Sequence, residues 1–267
     1  MAYSTRREDI VRIVQLVKRV SVQELARRFH VSEATVRKDL AFLEDQAVAV
    51  RTHGGAVLAE PDWGIHNVQD RKRVFMQEKQ AIARMVRTLV VQGETVFLDS
   101  GSTCTVVARE IRDMHLRVLC HSVGVINELI NARAISLISL GGSYRQRSGS
   151  FIGPLTCENL RRFHIETCFV GTAGFSLDGV FCAQNMIEAQ LKTEVLKSST
   201  RRIVVADHSK INRMEYAVFA RAHDVDILIV DECVSPQDRE ALAKLDVEVL
   251  YAKVERSVDD RRCQGRA

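Results

Sequence analysis

The sequence predicts an α/β protein of two domains, a small helical domain that ends in a β-hairpin and a larger α/β domain. Its 267 residues exceed the usual size of one compact domain, about 100 to 200 residues. Apolar residues follow a helical period at the N-terminal end and then alternate with polar residues in a hairpin. From residue 78 onward, short apolar runs alternate with helical stretches, which is typical of a parallel sheet flanked by helices.

Two helices are predicted first. The first extends from about Thr5 to Arg19, because apolar residues recur there at i, i+3, i+4 and i+7. Ser21 and Glu24 have the spacing of a capping box, which predicts a second, short helix ending near His30. The apolar residues of the first helix are Ile10, Ile13, Val14 and Val17.

A third helix begins at Ser32, whose hydroxyl can cap it. Its apolar stripe at i, i+4 and i+7 predicts a buried face made of Val36, Leu40 and Leu43. Its other face carries Thr35, Arg37 and Lys38.

The period then changes to two, with Val48 and Val50 alternating with other residues. Residues 52–55 supply a turn, and 56–58 form a second apolar strand. Three helices followed by a hairpin predict a winged helix-turn-helix over residues 1–58.

This first domain is the basic part of the chain, with ten Lys and Arg against seven Asp and Glu, or three of the four net positive charges. An exposed basic pair alone is usually a solvated helix face, but the helix-turn-helix and wing favour major-groove binding. The hairpin turn suits either a wing tip in the minor groove or simply a tight turn. Asp39 would be repelled by phosphate, so we expect it to pair with an arginine inside the domain. The candidate DNA-binding residues are Ser32, Thr35, Arg37, Lys38, Arg51 and His53.

Residues 59–77 lack an apolar rhythm and are predicted to be a linker, with a helix beginning at Glu78. The α/β domain is predicted over 78–255, as an effector-binding and oligomerisation domain, with 256–267 as a disordered tail. Its predicted strands lie at 95–98, 117–120, 135–140, 166–170, 202–206, 227–230 and 247–250. Small polar residues follow several of these strands, and open α/β sheets bind ligands at that edge.

The segment 99–103 precedes a helix, whose free N–H groups and positive dipole would hold a phosphate. Ser, Thr and Gly are also ordinary turn and capping residues, so the loop alone is a weak signal. Glu188 and Lys192 stand at i, i+4, which by default predicts an exposed salt bridge. The candidate effector-binding residues are Asp99, Ser100, Gly101, Ser102, Thr103, Ser122, Gly142, Lys192, Asp207 and Lys210.

Several classes of protein are disfavoured. The seven cysteines are scattered and form no C-x-x-C pair, which fits neither a disulfide framework nor a zinc module and favours reduced cytosolic thiols. The eight histidines show no metal-ligand spacing, and no motif for nucleotide triphosphates, dinucleotides or serine hydrolases is present. We therefore expect no catalytic residues, no metal and no cofactor.

No apolar run is long enough for a membrane span, and charged residues occupy the place of a secretory segment, so a cytoplasmic protein without a membrane partner is expected.

These residues resemble the DeoR family of bacterial transcription regulators over about residues 5 to 250. In the first domain the resemblance lies in V-Q-E-L-A at 22–26, V-S-E-A-T-V-R-K-D-L at 31–40 and H-G-G-A-V-L at 53–58. In the second it lies in F-L-D-S-G-S-T at 97–103, L-G-G at 140–142, G-P-L at 153–155, E-A-x-x-K at 188–192 and A-D-H-S-K at 206–210. The chain departs from the family at His121-Ser122, where Asn-Ser is common, and at G-T-A-G over 171–174, where G-A-D-G is frequent.

The resemblance implies a sensor domain similar to the ribose-5-phosphate isomerase fold, and a repressor of sugar or polyol catabolism that a phosphorylated sugar releases from operator DNA. Because one winged helix covers only one half-site, a homo-oligomer, a dimer or a tetramer, is expected.

Two other classes of protein stay open from the residues alone. One is a sugar-phosphate isomerase-like enzyme that uses Asp99, Glu188 and Lys192 for proton transfer. The other is an unliganded scaffold. The basic winged helix argues against the enzyme, and the polar strand ends argue against the scaffold.

Overall fold

The computed structural model describes residues 6, 7, 9–11, 13, 19–45, 49–52, 55–58 and 74–255. The chain divides into two compact units, Met1–His66 and Asn67–Ala267. His53, most of the expected linker and the expected tail from residue 256 lie outside the described residues.

The first unit combines helices with a small antiparallel sheet. The described residues from 6 to 13 are helical, and after them come β1 (Arg19–Ser21), α1 (Val22–Phe29), α2 (Glu33–Asp45), β2 (Ala49–Thr52) and β3 (Gly55–Leu58). The strands lie in the order β1-β3-β2. The prediction that the first helix reaches Arg19 is wrong, because Arg19 opens β1 and pairs with Val57 of β3. This pairing joins residues far apart in sequence, so no local period indicates it.

The predicted capping box is confirmed. The Ser21 hydroxyl accepts a hydrogen bond from the Glu24 amide at 3.1 Å, and the Glu24 carboxylate accepts one from the Ser21 amide at 3.1 Å. The helix ends at Phe29, and His30 adopts the left-handed conformation with φ of 52°. Because the helix N-terminus supplies its own cap, α1 begins at a position that the sequence alone defines.

The buried face of α2 is also as predicted, since Val36, Leu40 and Leu43 lie in the apolar core of this unit. The same helix buries Asp39 completely. The Arg6 Nε donates to one Asp39 oxygen at 2.6 Å, and the Arg7 Nε donates to the other at 2.8 Å. The expectation that Asp39 pairs inside its domain is confirmed.

The second unit is built on a seven-stranded, wholly parallel sheet in the order β15-β14-β12-β9-β4-β5-β6. These strands are β4 (Thr95–Leu98), β5 (Leu116–Cys120), β6 (Ile135–Ser139), β9 (Ile165–Gly171), β12 (Ser199–Ala206), β14 (Ile227–Asp231) and β15 (Glu248–Ala252). All seven predicted strands are present. Five further strands were not predicted, namely β7 (Ser143–Arg145), β8 (Ser150–Ile152), β10 (Gly174–Phe175), β11 (Val180–Ala183) and β13 (Ala217–Arg221).

Helices cover both faces of this sheet. They are α3 (Met76–Leu89), α4 (Ser102–Ile111), α5 (Val123–Leu129), α6 (Pro154–Leu160), α7 (Met186–Lys197) and α8 (Pro236–Leu242). α3 begins two residues before the predicted Glu78. Successive strand residues enter different apolar clusters, as Phe97 does in one cluster and Leu98 in the other. Both faces of the sheet are therefore buried, which explains the near-continuous apolar runs of its strands.

No helix within the described part of the chain is both long enough and apolar enough to cross a membrane. Five of the six described cysteines are buried, and Cys233 is partly exposed.

The turn after β6 depends on two glycines with different constraints. Gly141 has φ of 62° and open space where a Cβ would lie. Gly142 has φ of 121°, and a Cβ there would lie 2.0 Å from the Thr156 Oγ1. The Thr156 hydroxyl in turn donates to the Gly141 carbonyl at 2.8 Å. At position 142, glycine is required both by the backbone conformation and because a side chain would overlap Thr156. At position 141, the backbone conformation is the only constraint that favours glycine.

We predict that Asp39→Ala destabilises the first unit by about 3 to 5 kcal/mol, because it removes the buried carboxylate that pairs with both Arg6 and Arg7. Glu33→Gln is the matched control on the same helix, since it removes only the exposed Glu33–Arg37 pair, which we expect to contribute less than about 1 kcal/mol. Hydrogen exchange of the α2 amides in the full chain measures both effects. Equal protection of α2 in the two variants would contradict the assignment.

A second prediction concerns the two glycines. Gly141→Ala should cost about 1 kcal/mol, the usual penalty for a non-glycine residue in the left-handed region. Gly142→Ala should cost more, because the methyl group also overlaps the Thr156 side chain. Thermal unfolding of the two variants and of Gly142→Ala combined with Thr156→Ala compares them. If the second substitution restores no stability, the steric part of the argument is wrong.

Candidate functional site

The candidate DNA-binding side chains of α2 lie where the sequence placed them. Arg37 and Lys38 are exposed, on the side opposite the buried stripe. The Ser32 hydroxyl accepts from the Thr35 amide at 3.2 Å and lies 2.9 Å from the Thr35 hydroxyl. The Arg37 guanidinium pairs with Glu33 at 2.6 Å. Two exposed cations and the capped N-terminal end of the helix are therefore available on one surface of this unit.

The second site is organised around Asp99, which follows β4 at the carboxyl edge of the sheet. Its carboxylate is almost completely buried, at 2% exposed. One oxygen lies 2.9 Å from the His121 Nε2. The other accepts from the Gly171 amide at 2.9 Å and from the Lys192 ammonium. Three neighbouring elements of the fold thus place donors on a single carboxylate.

Lys192 enters this cluster from α7. Its ammonium also donates to the Gly171 carbonyl at 2.7 Å and lies 5.5 Å from the centre of the Phe219 ring. Burial would raise the pKa of Asp99, but the charge of Lys192 and the hydrogen bond from His121 outweigh it and hold that pKa well below its usual range. Asp99 is therefore ionised in the folded protein, and both of its oxygens already have protein donors.

His121 is fixed on both sides. Its Nδ1 lies 2.8 Å from the Phe151 carbonyl oxygen, while its Nε2 faces Asp99. Its ring stacks on Phe97, with centroids 5.9 Å apart. From the sequence, His121 is recognisable only as a departure from Asn, and it is not among the predicted site residues. A histidine after a strand gives no local sign of its partner, because Asp99 is on another strand.

The segment after Asp99 leads directly into a helix, as the sequence predicts. Gly101 is the N-terminal cap of α4, with φ of 120°, and no side chain caps the helix there. Ser102 and Thr103 are buried in its first turn. Ser122 caps α5 by accepting from the Val125 amide at 3.4 Å, so it has a structural role at the same edge.

Asp207 and Lys210 lie at the end of β12, and β9 separates this strand from β4. At the spacing of neighbouring strands, this puts them about 10 Å from the Asp99 position along the sheet edge. The Asp207 carboxylate accepts from the Ser209 hydroxyl and, at 3.2 Å, from the Ser209 amide. Burial would raise the pKa of Asp207, but the charges of Lys210 and Lys79 lower it below its usual value. The edge therefore holds two polar clusters, not a single one.

The expected exposed salt bridge between Glu188 and Lys192 is wrong. Both residues are buried, and Lys192 pairs with Asp99 instead. Glu188 has Arg145 as its ion-pair partner, with the Arg145 Nη1 3.9 Å from the Glu188 Oε1. The i, i+4 rule applies to a helix surface in water, whereas this face of α7 packs against the sheet. Arg145 was missed by the sequence analysis, since it lies in β7, which no sequence pattern indicated.

Comparison with known proteins agrees with this architecture. Residues 6–62 match the DeoR-like helix-turn-helix domain, and residues 74–232 match the DeoR C terminal sensor domain. A putative aga operon transcriptional repressor of Escherichia coli O157:H7 is 34% identical over 251 residues, covering 92% of this chain and 93% of the relative. The glycerol-3-phosphate regulon repressor of Escherichia coli K12 is 31% identical over 233 residues, covering 86% and 92%.

Among solved structures, a ribose 5-phosphate isomerase from Methanocaldococcus jannaschii is similar, with a TM-score of 0.37 and 16% identity over 50% of this chain and 53% of the other. The full-length relatives are named transcriptional regulators and repressors, and not enzymes. Both domain matches occur in the order that the structure shows. The chain therefore belongs to the DeoR family of DNA-binding transcriptional repressors.

Proposed function

We propose that this repressor controls a sugar or polyol catabolic operon in the cytoplasm, and that a phosphorylated sugar or polyol releases it from its operator. The observation that carries this proposal is the Asp99–Lys192 ion pair beside the uncapped N-terminus of α4. The name of the glycerol-3-phosphate regulon repressor, a relative of similar length, supports a phosphorylated effector.

The phosphate would bind the first turn of α4. No side chain caps Gly101, so the N–H groups that follow it are available to an anion, and the helix dipole favours negative charge there. Ser100, Ser102 and Thr103 add hydroxyl groups to the same turn. An ammonium group has three donors, and Lys192 uses two of them on Asp99 and Gly171, which leaves one for a phosphate oxygen.

Asp99 would act by positioning other groups. With both oxygens engaged by protein donors, the carboxylate holds Lys192 and His121 in place and is not free to accept from sugar hydroxyls. From the sequence, Asp99 is among the candidate effector-binding residues, whereas here it contributes only by positioning Lys192 and His121. We assign the contact with sugar hydroxyls to groups farther along the edge, namely Asp207 and Lys210, with Ser122 and Gly142 shaping the near side.

The DNA-binding part of the proposal rests on α2. Ser32, Thr35, Arg37 and Lys38 would face the major groove, with Arg51 and His53 contributing from the wing. In the unbound protein Arg37 is paired with Glu33, so binding must exchange that pair for a phosphate or a base. A homo-oligomer joined through the sensor domain would present two such helices to a repeated operator.

Arg37→Ala should weaken operator binding by about 1 to 3 kcal/mol if Arg37 contacts a base. Lys38→Ala should weaken operator and unrelated DNA alike and reduce the salt dependence, as expected for a phosphate contact. Arg28→Ala, an exposed arginine on α1, is the control. Gel shifts at two salt concentrations measure all three. Wild-type binding by both α2 variants would refute the assignment of the recognition helix.

Sugar and polyol phosphates should raise the Tm of the full chain, and the same compounds without phosphate should not. A helix N-terminus and an ammonium group favour a dianion over a neutral hydroxyl. Lys192→Met should abolish the response. Lys197→Met on the same helix should retain it, because Lys197 is exposed and pairs only with Glu194 at 3.7 Å. A full response from Lys192→Met would remove Lys192 from the site.

If the effector releases the repressor from DNA, effector binding lowers the affinity of the protein for its operator by some factor. Saturating operator DNA should then lower the affinity for the effector by the same factor. A usable switch requires about 1 to 3 kcal/mol of coupling, or roughly 5- to 150-fold. Calorimetric titration of effector with and without operator measures the coupling, and light scattering gives the oligomeric state. Identical effector affinities would contradict the coupling, and a monomer would contradict the oligomer.

A further inference from the structure

A third group of side chains meets at the carboxyl edge of the sheet, next to Asp207 and Lys210 and separate from the proposed phosphate site at α4. Glu78 comes from the first turn of α3, His208 follows β12 and Cys233 follows β14. Each offers one donor atom, and the three donor atoms all lie within 4.8 Å of one another. Carboxylate oxygen, imidazole nitrogen and thiolate sulfur are the three ligand types that proteins offer to Zn²⁺.

His208 is oriented as a metal-bound histidine would be. Its Nδ1 lies 2.9 Å from a carboxylate oxygen of Asp231, which is completely buried. In the neutral tautomer that carries its proton on Nδ1, this nitrogen donates to Asp231, and Nε2 carries the lone pair that a metal ion would use. The edge of the Phe75 ring packs on the imidazole with centroids 4.9 Å apart, which fixes the ring further.

The same carboxylate also positions the loop that carries Cys233. Asp231 accepts from the Cys233 amide at 3.0 Å and from the His208 amide at 2.7 Å. One buried group therefore holds two of the three donors in fixed relation to each other. Carboxylates that orient ligands in this way are typical of the outer shell of zinc sites.

Glu78 is the acidic member of the cluster. It is only 7% exposed. Among the described residues its carboxylate makes no hydrogen bond and no ion pair, and it lies within 4.8 Å of the donor atoms of His208 and Cys233. A carboxylate that is largely withdrawn from water is stabilised by a cation held beside it. A cation bound jointly with His208 and Cys233 would provide that stabilisation.

We propose that Glu78, His208 and Cys233 bind one zinc ion, with Asp231 as the positioning residue. Zinc–ligand distances of about 2.0 to 2.3 Å require donor atoms about 3.3 to 3.8 Å apart, so donor atoms that now lie up to 4.8 Å apart would move closer together on binding. The thiol proton leaves to solvent as the Zn–S bond forms. A fourth position is open to water or to an exogenous ligand. This proposal does not depend on the identity of the effector or the operator.

The test uses the full chain, reduced and freed of metal, titrated first with Co²⁺ and then with Zn²⁺. One equivalent of Co²⁺ per chain should give a near-ultraviolet thiolate-to-cobalt band, and Zn²⁺ should remove it. Cys233→Ser should abolish the band, and Glu78→Gln and His208→Gln should weaken Zn²⁺ binding at least tenfold. Asp231→Asn should keep the band but weaken binding about 10- to 100-fold, as for other outer-shell groups.

The matched control is Cys157→Ser, which removes a thiol on α6 and should bind both metals like the wild type. Circular dichroism and thermal unfolding without metal establish that each variant is folded. A band that persists in Cys233→Ser would overturn the proposal, as would Zn²⁺ affinity unchanged in Glu78→Gln and His208→Gln together. Neither result would affect the effector or operator experiments.

Discussion

The buried ion pair between Asp99 and Lys192 is the interaction on which the sensor unit depends most. Removing two charges from water is costly, and the cost is offset only where the remaining hydrogen-bonding capacity is satisfied. Here His121 and the Gly171 amide complete the carboxylate, and the Gly171 carbonyl takes a second ammonium proton. The pair thereby joins the ends of β4, β5 and β9 to the middle of α7. In the proposed function, an anion that accepts from the third donor of the Lys192 ammonium would bind the same group that holds these strand ends together.

The parallel sheet explains why chemistry collects at one edge. Because every strand of the large sheet runs in the same direction, the residues that follow the strands meet on one side. Asp99, His121, Asp207 and Asp231 all lie at or just beyond strand ends. The edge is long enough for separate tasks, with the proposed phosphate site after β4 and the Glu78–His208–Cys233 cluster after β12 and β14. α3, the first helix of the second unit, begins in contact with the latter cluster through Phe75 and Glu78.

The DNA-binding unit shows the same physical rule on a smaller scale. Asp39 lies on the helix that carries Arg37 and Lys38, yet its charge is buried and neutralised by Arg6 and Arg7. The surface that faces solvent thus keeps its positive charge, while the acidic residue connects α2 to the N-terminal helical residues. The exposed cations Arg37 and Lys38 and the buried carboxylate of Asp39 thus lie within a single turn of the same helix, on opposite faces.

Local structure could be predicted from the sequence alone. Periodicity predicted helices in the first unit, the helix near Glu78 and the seven strands of the sheet. Ser21 and Glu24 defined the start of α1, and the charge of Asp39 indicated an internal partner. These features depend on residues within about a turn of one another, or on the solvation of a single charge. The interactions that cause these features are local, so a short stretch of sequence is enough to predict them.

Contacts between residues far apart in the sequence depend on the tertiary fold. The pairing of β1 with β3, the partner of Lys192, the role of His121 and the meeting of Glu78 with His208 and Cys233 all depend on strand order. Glu188 and Lys192 look like a surface pair because the i, i+4 rule assumes water around the helix, and only the packing of α7 on the sheet removes that water. Strand order is set by the sum of many weak long-range contacts, and no single stretch of sequence encodes it.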